Sequence, residues 1–142
     1  MRVQLAPKAD CPWLFNKLRH QPASDFVALE AVDSSGTIRG MVGYEAWTPK
    51  SARAYLAMET PVVLRKLLVP AFWFPFVDKA LDVLTLSIPA YSARNLALAK
   101  RLGFSEVYRV RGGWDTGIDM ILFEMRRESC RWIQPRELRR AG

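Results

Sequence analysis

Residues 62–80, VVLRKLLVPAFWFPFVDKA, constrain the fold more than any other part of this chain. Drawn as a helix they place Val, Leu, Phe and Trp on every side, and a helix that is apolar all round has to be buried. Arg65, Lys66, Pro70 and Pro75 interrupt the run, so it falls short of the ~20 consecutive apolar residues that span a membrane. The two prolines are expected to kink the helix or end it early. The surface that covers such a helix must come from the flanking sequence, and that sequence is rich in strand patterns.

Asp25 to Val32 (DFVALEAV) alternates apolar and polar, the pattern of a half-buried strand. Asp33-Ser34-Ser35-Gly36 is a turn composition, and Thr37 to Trp47 returns as a second strand. Ala52 to Met58 makes a third, after Thr48-Pro49-Lys50-Ser51. Beyond the long helix, Asp82 to Ile88 (DVLTLSI) reads as a buried strand. Ser92 can cap a helix that runs to Leu102, with Gly103 in the left-handed stop position. Phe104 to Val110 and Ile118 to Met125 are two more strands, joined by Gly112-Gly113-Trp114-Asp115. At the start, Met1 to Ala6 alternates weakly. In CPWLFNKLRH, Trp13, Leu14, Lys17 and Leu18 fall at helical spacing, with Asp10 as cap and Pro12 in the first turn. Strands mixed with helices predict an α/β fold, a mixed and mostly antiparallel sheet with helices on both faces.

At 142 residues the chain can bury a full core without covalent staples. It carries 21 Lys and Arg against 14 Asp and Glu, a formal charge of +7. The last seventeen residues hold six Arg against Glu128 and Glu137. We therefore expect one domain over 1–132 and a basic, solvated tail over 133–142. Arginines gathered in a tail, without a recognition helix or interleaved aromatics, argue against nucleic acid as the partner. MRVQLAPKAD lacks the apolar core of a secretion signal, so a cytoplasmic protein without membrane contact is expected. Cys11 and Cys130 read as reduced packing residues. One histidine and two distant cysteines cannot make the usual four-ligand zinc site, so no metal is expected. His20 closes the first helix, where a cation suits the dipole.

The element order, together with SARNLALAKRLGFSEVYRV and DMILFEMRRESCRW, resembles the GNAT (Gcn5-related N-acetyltransferase) family over about residues 1–132. The segment Met125 to Trp132, with Phe72-Trp73-Phe74-Pro75-Phe76 upstream, is similar to a branch found in bacteriophage and prophage genomes. The resemblance implies a splayed pair of central strands, Ala54–Met58 and Asp82–Ile88, that holds the arm of an acyl-CoA. It implies acetyl-CoA as cosubstrate and an amine, small molecule or protein, as acceptor, and it leaves room for a homodimer.

The same resemblance assigns cofactor-binding positions. Ala57 and Met58 would orient the thioester. Val62, Val63, Leu64, Arg65 and Lys66 would hold the pyrophosphate at a helix N-terminus, where free N–H groups favour an anion. Ser92 and Asn95 would flank the cofactor from the next helix. Glu59-Thr60-Pro61-Val62-Val63-Leu64 stands where relatives carry a glycine-rich loop, and Ala99 stands where many carry a tyrosine that protonates the leaving thiolate. Tyr91 or Tyr108 could substitute. Glu45 and Glu59, at or near strand ends, are the carboxylates that could accept the amine's proton. Trp114, Asp115, Trp13, Phe15 and Leu18 could border the acceptor. The alternative is a catalytically degenerate GNAT-like interaction module, a phage protein that binds a host or virion partner.

Overall fold

The computed structural model describes residues 1–141, and side chains as far as Leu138. Its strands are β1 (Arg2–Leu5), β2 (Val27–Val32), β3 (Ile38–Glu45), β4 (Ser51–Met58), β5 (Val83–Pro89), β6 (Ser105–Asp115) and β7 (Ile118–Arg126). Its α-helices are α1 (Pro12–Leu18), α2 (Pro61–Trp73), α3 (Ala93–Leu102) and α4 (Pro135–Ala141). The strands form one sheet in the order β1-β2-β3-β4-β5-β7-β6. Every neighbouring pair is antiparallel except β4–β5. The expected mixed, mostly antiparallel α/β sheet is what forms.

Strand alternation decides which helix each residue meets. Leu29, Ala31, Val42 and Tyr44 share a core cluster with Val63, Leu67 and Phe72 of α2 and Ala99 of α3. Ala28 and Met41, from the opposite face, cluster with Leu14 of α1, and Tyr55 and Ala57 pack against them. α1 therefore lies on one face of the sheet, α2 and α3 on the other. This explains a departure from the sequence reading. β2 was expected to be half-buried, yet five of its six residues are buried, Glu30 included, because both its faces are covered. Gly43 admits α1: a Cβ there would stand 2.1 Å from Phe26 and 2.9 Å from Leu14.

α2 does not end at Pro70. It continues to Trp73 and passes into a π-helical turn over Phe74–Asp78, where the Lys79 N–H reaches the Phe74 carbonyl at 3.0 Å. Pro70 and Pro75 each withhold one N–H, but burial of Phe72, Phe74 and Phe76 keeps the segment coiled against the sheet. The cap expected from Asp10 is also absent. Asp10 sits in a 3-10 turn (Lys8–Asp10), and α1 starts after Cys11 with no side-chain cap bond. Gly103 closes α3 at φ 109°, as its position predicts.

The last hairpin is longer than the sequence suggested. Gly112 to Asp115 belongs to β6, which is out of register with β7 between Val110 and Asp115, and the turn falls at Thr116–Gly117. The C-terminal stretch also departs from the expected solvated tail. Ile133 and Leu138 are buried in the main core, and the Trp73 indole N–H donates to Glu137 Oε2 at 3.2 Å. Gly142 lies outside the described residues. Cys11 and Cys130 are both free and buried, and burial raises both thiol pKa values. Among the described residues, no helix is long and apolar enough to cross a membrane.

Candidate active site

The parallel ladder between β4 and β5 is short. It pairs Ser51 with Val83, Ala52 with Leu84 and Arg53 with Thr85, then stops. Both strands continue, β4 to Met58 and β5 to Pro89. β4 remains paired with β3 as far as Met58, and β5 with β7 as far as Pro89. The unpaired backbone groups beyond Arg53 and Thr85 consequently face each other across a gap. Backbone N–H and C=O groups need partners when water is excluded, so this gap is a ready seat for an extended, amide-bearing chain. A cleft of about 670 Å³ occupies it, lined by Ala54–Met58 of β4 and Leu86–Pro89 of β5.

Because the cleft lies in the sheet itself, it touches both layers. From the α2 and α3 side it is lined by Leu64, Leu68, Ser92, Arg94, Asn95 and Ala99. From the α1 side it is lined by Lys17, Leu18, Arg19 and His20, with Tyr55 of β4. Ser87 lies on the face of β5 opposite Leu86 and Ile88. Its hydroxyl is buried and has no hydrogen-bond partner.

The expected cofactor positions divide into two groups. Ala57, Met58, Leu64, Ser92 and Asn95 line the cleft. Val62, Val63, Arg65 and Lys66 do not: Val63 is buried in the core, while Val62, Arg65 and Lys66 are exposed on the first turns of α2. Thr60 caps α2 from an extended conformation without a side-chain bond, and Pro61 has no N–H. The cap expected from the Ser92 side chain is likewise not made, although its carbonyl accepts the Leu96 N–H at 3.0 Å. The Ser92 hydroxyl is left to face the cleft.

The carboxylate candidates separate as well. Glu59 lies outside the cleft lining and is paired with Arg39 at 2.9 Å, an arginine that also holds Asp33 at 2.9 Å. Glu45 is 5% exposed and is the centre of a polar cluster. It accepts hydrogen bonds from the Ala23 N–H at 2.9 Å and the Tyr55 hydroxyl at 2.9 Å, and it pairs with His20 Nε2 at 2.9 Å. Burial alone would raise its pKa. The bonds from Ala23, His20 and Tyr55 outweigh burial and hold it below the ordinary glutamate value. Burial, with Glu45 beside it, pushes the Tyr55 phenol up. The His20 and Tyr55 rings stack with centroids 4.3 Å apart.

Tyr91 is on the cleft and 68% exposed. Tyr108 is exposed on β6 and is not among the lining residues. Trp114 and Leu18 reach the cleft, whereas Trp13 and Phe15 pack in the α1 core. Sequence reasoning missed His20 and Tyr55 as partners of Glu45. The left-handed turn at Arg19 (φ 51°) brings residue 20 back toward residue 45, and no local spacing announces that approach. Among the described residues, no group of three or more His, Cys, Asp or Glu could hold a metal ion.

No family model matches the chain, and no curated protein matches it in sequence. Solved structures do match in fold. The spermidine N-acetyltransferase SpeG of Vibrio cholerae, in complex with CoA and spermine, superposes with a TM-score of 0.72 at 13% identity, over 90% of this chain and 96% of that one. The dodecameric form of the Vibrio cholerae enzyme gives a TM-score of 0.73 at 12% identity, over 89% and 94%. A single-residue variant of it gives 0.73 at 13%, over the whole of both chains. The fold is the GNAT fold.

Proposed function

We propose that this chain is an acyl-CoA-dependent N-acyltransferase that moves an acetyl group from acetyl-CoA to an amine by direct attack. The observation that carries the reading is the early end of the β4–β5 ladder, which leaves a lined cleft with free backbone groups on both edges. The edges at Ala57 and Met58 would take the amide-bearing arm of the cosubstrate. The start of α2, with Arg65 and Lys66, would take its phosphates. The thioester supplies an activated carbonyl. The amine nitrogen forms the C–N bond as the C–S bond breaks, and the amine gives up one proton.

His20 and Glu45 are suited to receive that proton. A neutral imidazole that donates Nε2–H to a carboxylate presents its other nitrogen as an acceptor, and the carboxylate stabilises the imidazolium that forms. Glu45 is then a positioning residue acting through His20. Glu59 is committed to Arg39 and is not assigned a step. Tyr91 contributes an exposed hydroxyl on the cleft that would protonate the departing thiolate. The test is acetyl transfer to a broad amine panel with His20→Gln as control. A loss of about 10²–10⁴-fold in kcat is expected.

The second reading, a non-catalytic interaction module with a host or virion partner, is favoured by Pro61 at the start of α2 and by the apolar Ala99 in the cleft wall. It predicts CoA binding without turnover, or no CoA binding at all.

A further inference from the structure

We infer that the acceptor is a small amine that also carries an anionic group, a carboxylate or a phosphate, and is not a polyamine. The inference rests on the acyltransferase reading and deepens it. The cleft opens on both faces of the sheet, and the α2 and α3 face is the one with helix N-termini for the cosubstrate's phosphates. The acceptor is left with the α1 face. The cations lining that side are Lys17 and Arg19, beside His20, and among the described residues no Asp or Glu lines the cleft.

Glu45 is buried beside His20 and Tyr55 and is already engaged by them and by the Ala23 N–H. On the neighbouring hairpin, Asp119 is taken up by Arg109 and by the Gly112 N–H. A polycation entering here would meet like charge and, among the described residues, no carboxylate in the cleft lining to pair with. An anion would meet two cations, one of them a guanidinium that can bind carboxylate or phosphate in bidentate fashion. The Ser87 hydroxyl, on the same face, is buried and unpartnered.

Arg19 adds a second kind of observation. It ends α1 in the left-handed region, φ 51° and ψ 41°, where Gly or Asn is the ordinary residue. An arginine held in that conformation at a cleft mouth is strained, and such strain collects at functional positions. It also supplies a clean variant, because Arg19→Gly removes the guanidinium while relieving the backbone.

The experiment compares acetyl transfer by the whole protein to glutamate, β-alanine, phosphoethanolamine, ethanolamine and spermidine. Melting shifts of the CoA-saturated protein with each amine give a readout independent of turnover. We expect the anionic amines to lead ethanolamine and spermidine by roughly tenfold or more in kcat/KM, or to give the larger melting shifts. Arg19→Gly and Lys17→Gln should raise KM for the anionic amines by about tenfold. The same variants should leave CoA affinity unchanged and should lower kcat/KM for ethanolamine by far less than for the anionic amines. A preference for spermidine, or an anionic preference that survives both variants, overturns the inference. Absence of both transfer and CoA binding overturns the acyltransferase reading, and this inference with it.

Discussion

The Tyr44 hydroxyl donates to the Ala71 carbonyl at 2.5 Å, the carbonyl that Pro75, four residues on, has no N–H to serve. Tyr44 is fully buried, and burial raises its phenol pKa well above the ordinary value. One bond thus ties β3 to the point where α2 gives way to its π turn. Tyr44→Phe keeps the ring but leaves the carbonyl short of a donor, at an expected cost of about 1–3 kcal/mol. Adding Pro75→Ala, which restores an N–H, should recover part of that loss. Denaturant titration of the two single variants and the double variant checks this; strict additivity would mean that the two residues do not share the Ala71 carbonyl.

Glu45 should shape the acid limb of stability. Its folded-state pKa lies below the ordinary value of 4.5. The stability it contributes is therefore complete above about pH 4.5 and is lost as pH falls through the lower folded value. Glu45→Gln should cost about 1–3 kcal/mol near neutrality, since three donors lose a charged acceptor. It should also flatten the pH dependence below 4.5. Thermal melts from pH 3 to 7 would show the wild-type and variant curves converging at the acid end.

Gly103 tests the backbone rather than the packing. A Cβ there would meet Arg131 Nη1 and Met125 Cε at an ordinary 3.4 Å, so the cost of a side chain lies in the φ of 109°. Gly103→Val should lose more than the roughly 1–2 kcal/mol that a left-handed residue costs, and Gly103→Asn distinctly less. Equal melting temperatures for the two variants would contradict this.

These residues also mark what could be read from sequence. Gly103 was legible because a helix pattern ended one residue before it. The meander was legible because Asp33 to Gly36 is turn chemistry between two alternating runs. The early end of the β4–β5 ladder came only through the resemblance, as no propensity encodes where a parallel ladder stops. Pro70 misled, since burial of the surrounding aromatics outweighs one lost backbone bond. The site's polar centre was half legible: Glu45 could be picked out as a carboxylate at a strand end. Its union with His20 and Tyr55 depends on the left-handed turn at Arg19 and on the close packing that Gly43 allows. Both are properties of three dimensions.

Arg65 and Lys66 are exposed on the first turns of α2, outside the cleft lining. If they hold the cosubstrate's phosphates, Arg65→Glu with Lys66→Glu should weaken CoA binding by at least about tenfold, from charge-assisted bonds of ~1.5–3 kcal/mol each. The effect should shrink as salt rises. Dephospho-CoA and CoA titrated side by side would show which phosphate each cation serves. Unchanged affinity in a folded double variant would place the phosphates elsewhere, with Arg94 of α3 the next cation on the cleft.

The central claim is that the gap between β4 and β5 receives an acyl-CoA. Calorimetric titration of the purified protein with acetyl-CoA tests it most directly, run beside a variant in which Ala57, on the gap's edge, is replaced by Trp to fill the cleft. The account predicts saturable binding at one site per chain in the wild type, and its loss in Ala57→Trp at unchanged secondary structure. No binding at millimolar acetyl-CoA, or equal binding by the filled variant, would contradict it.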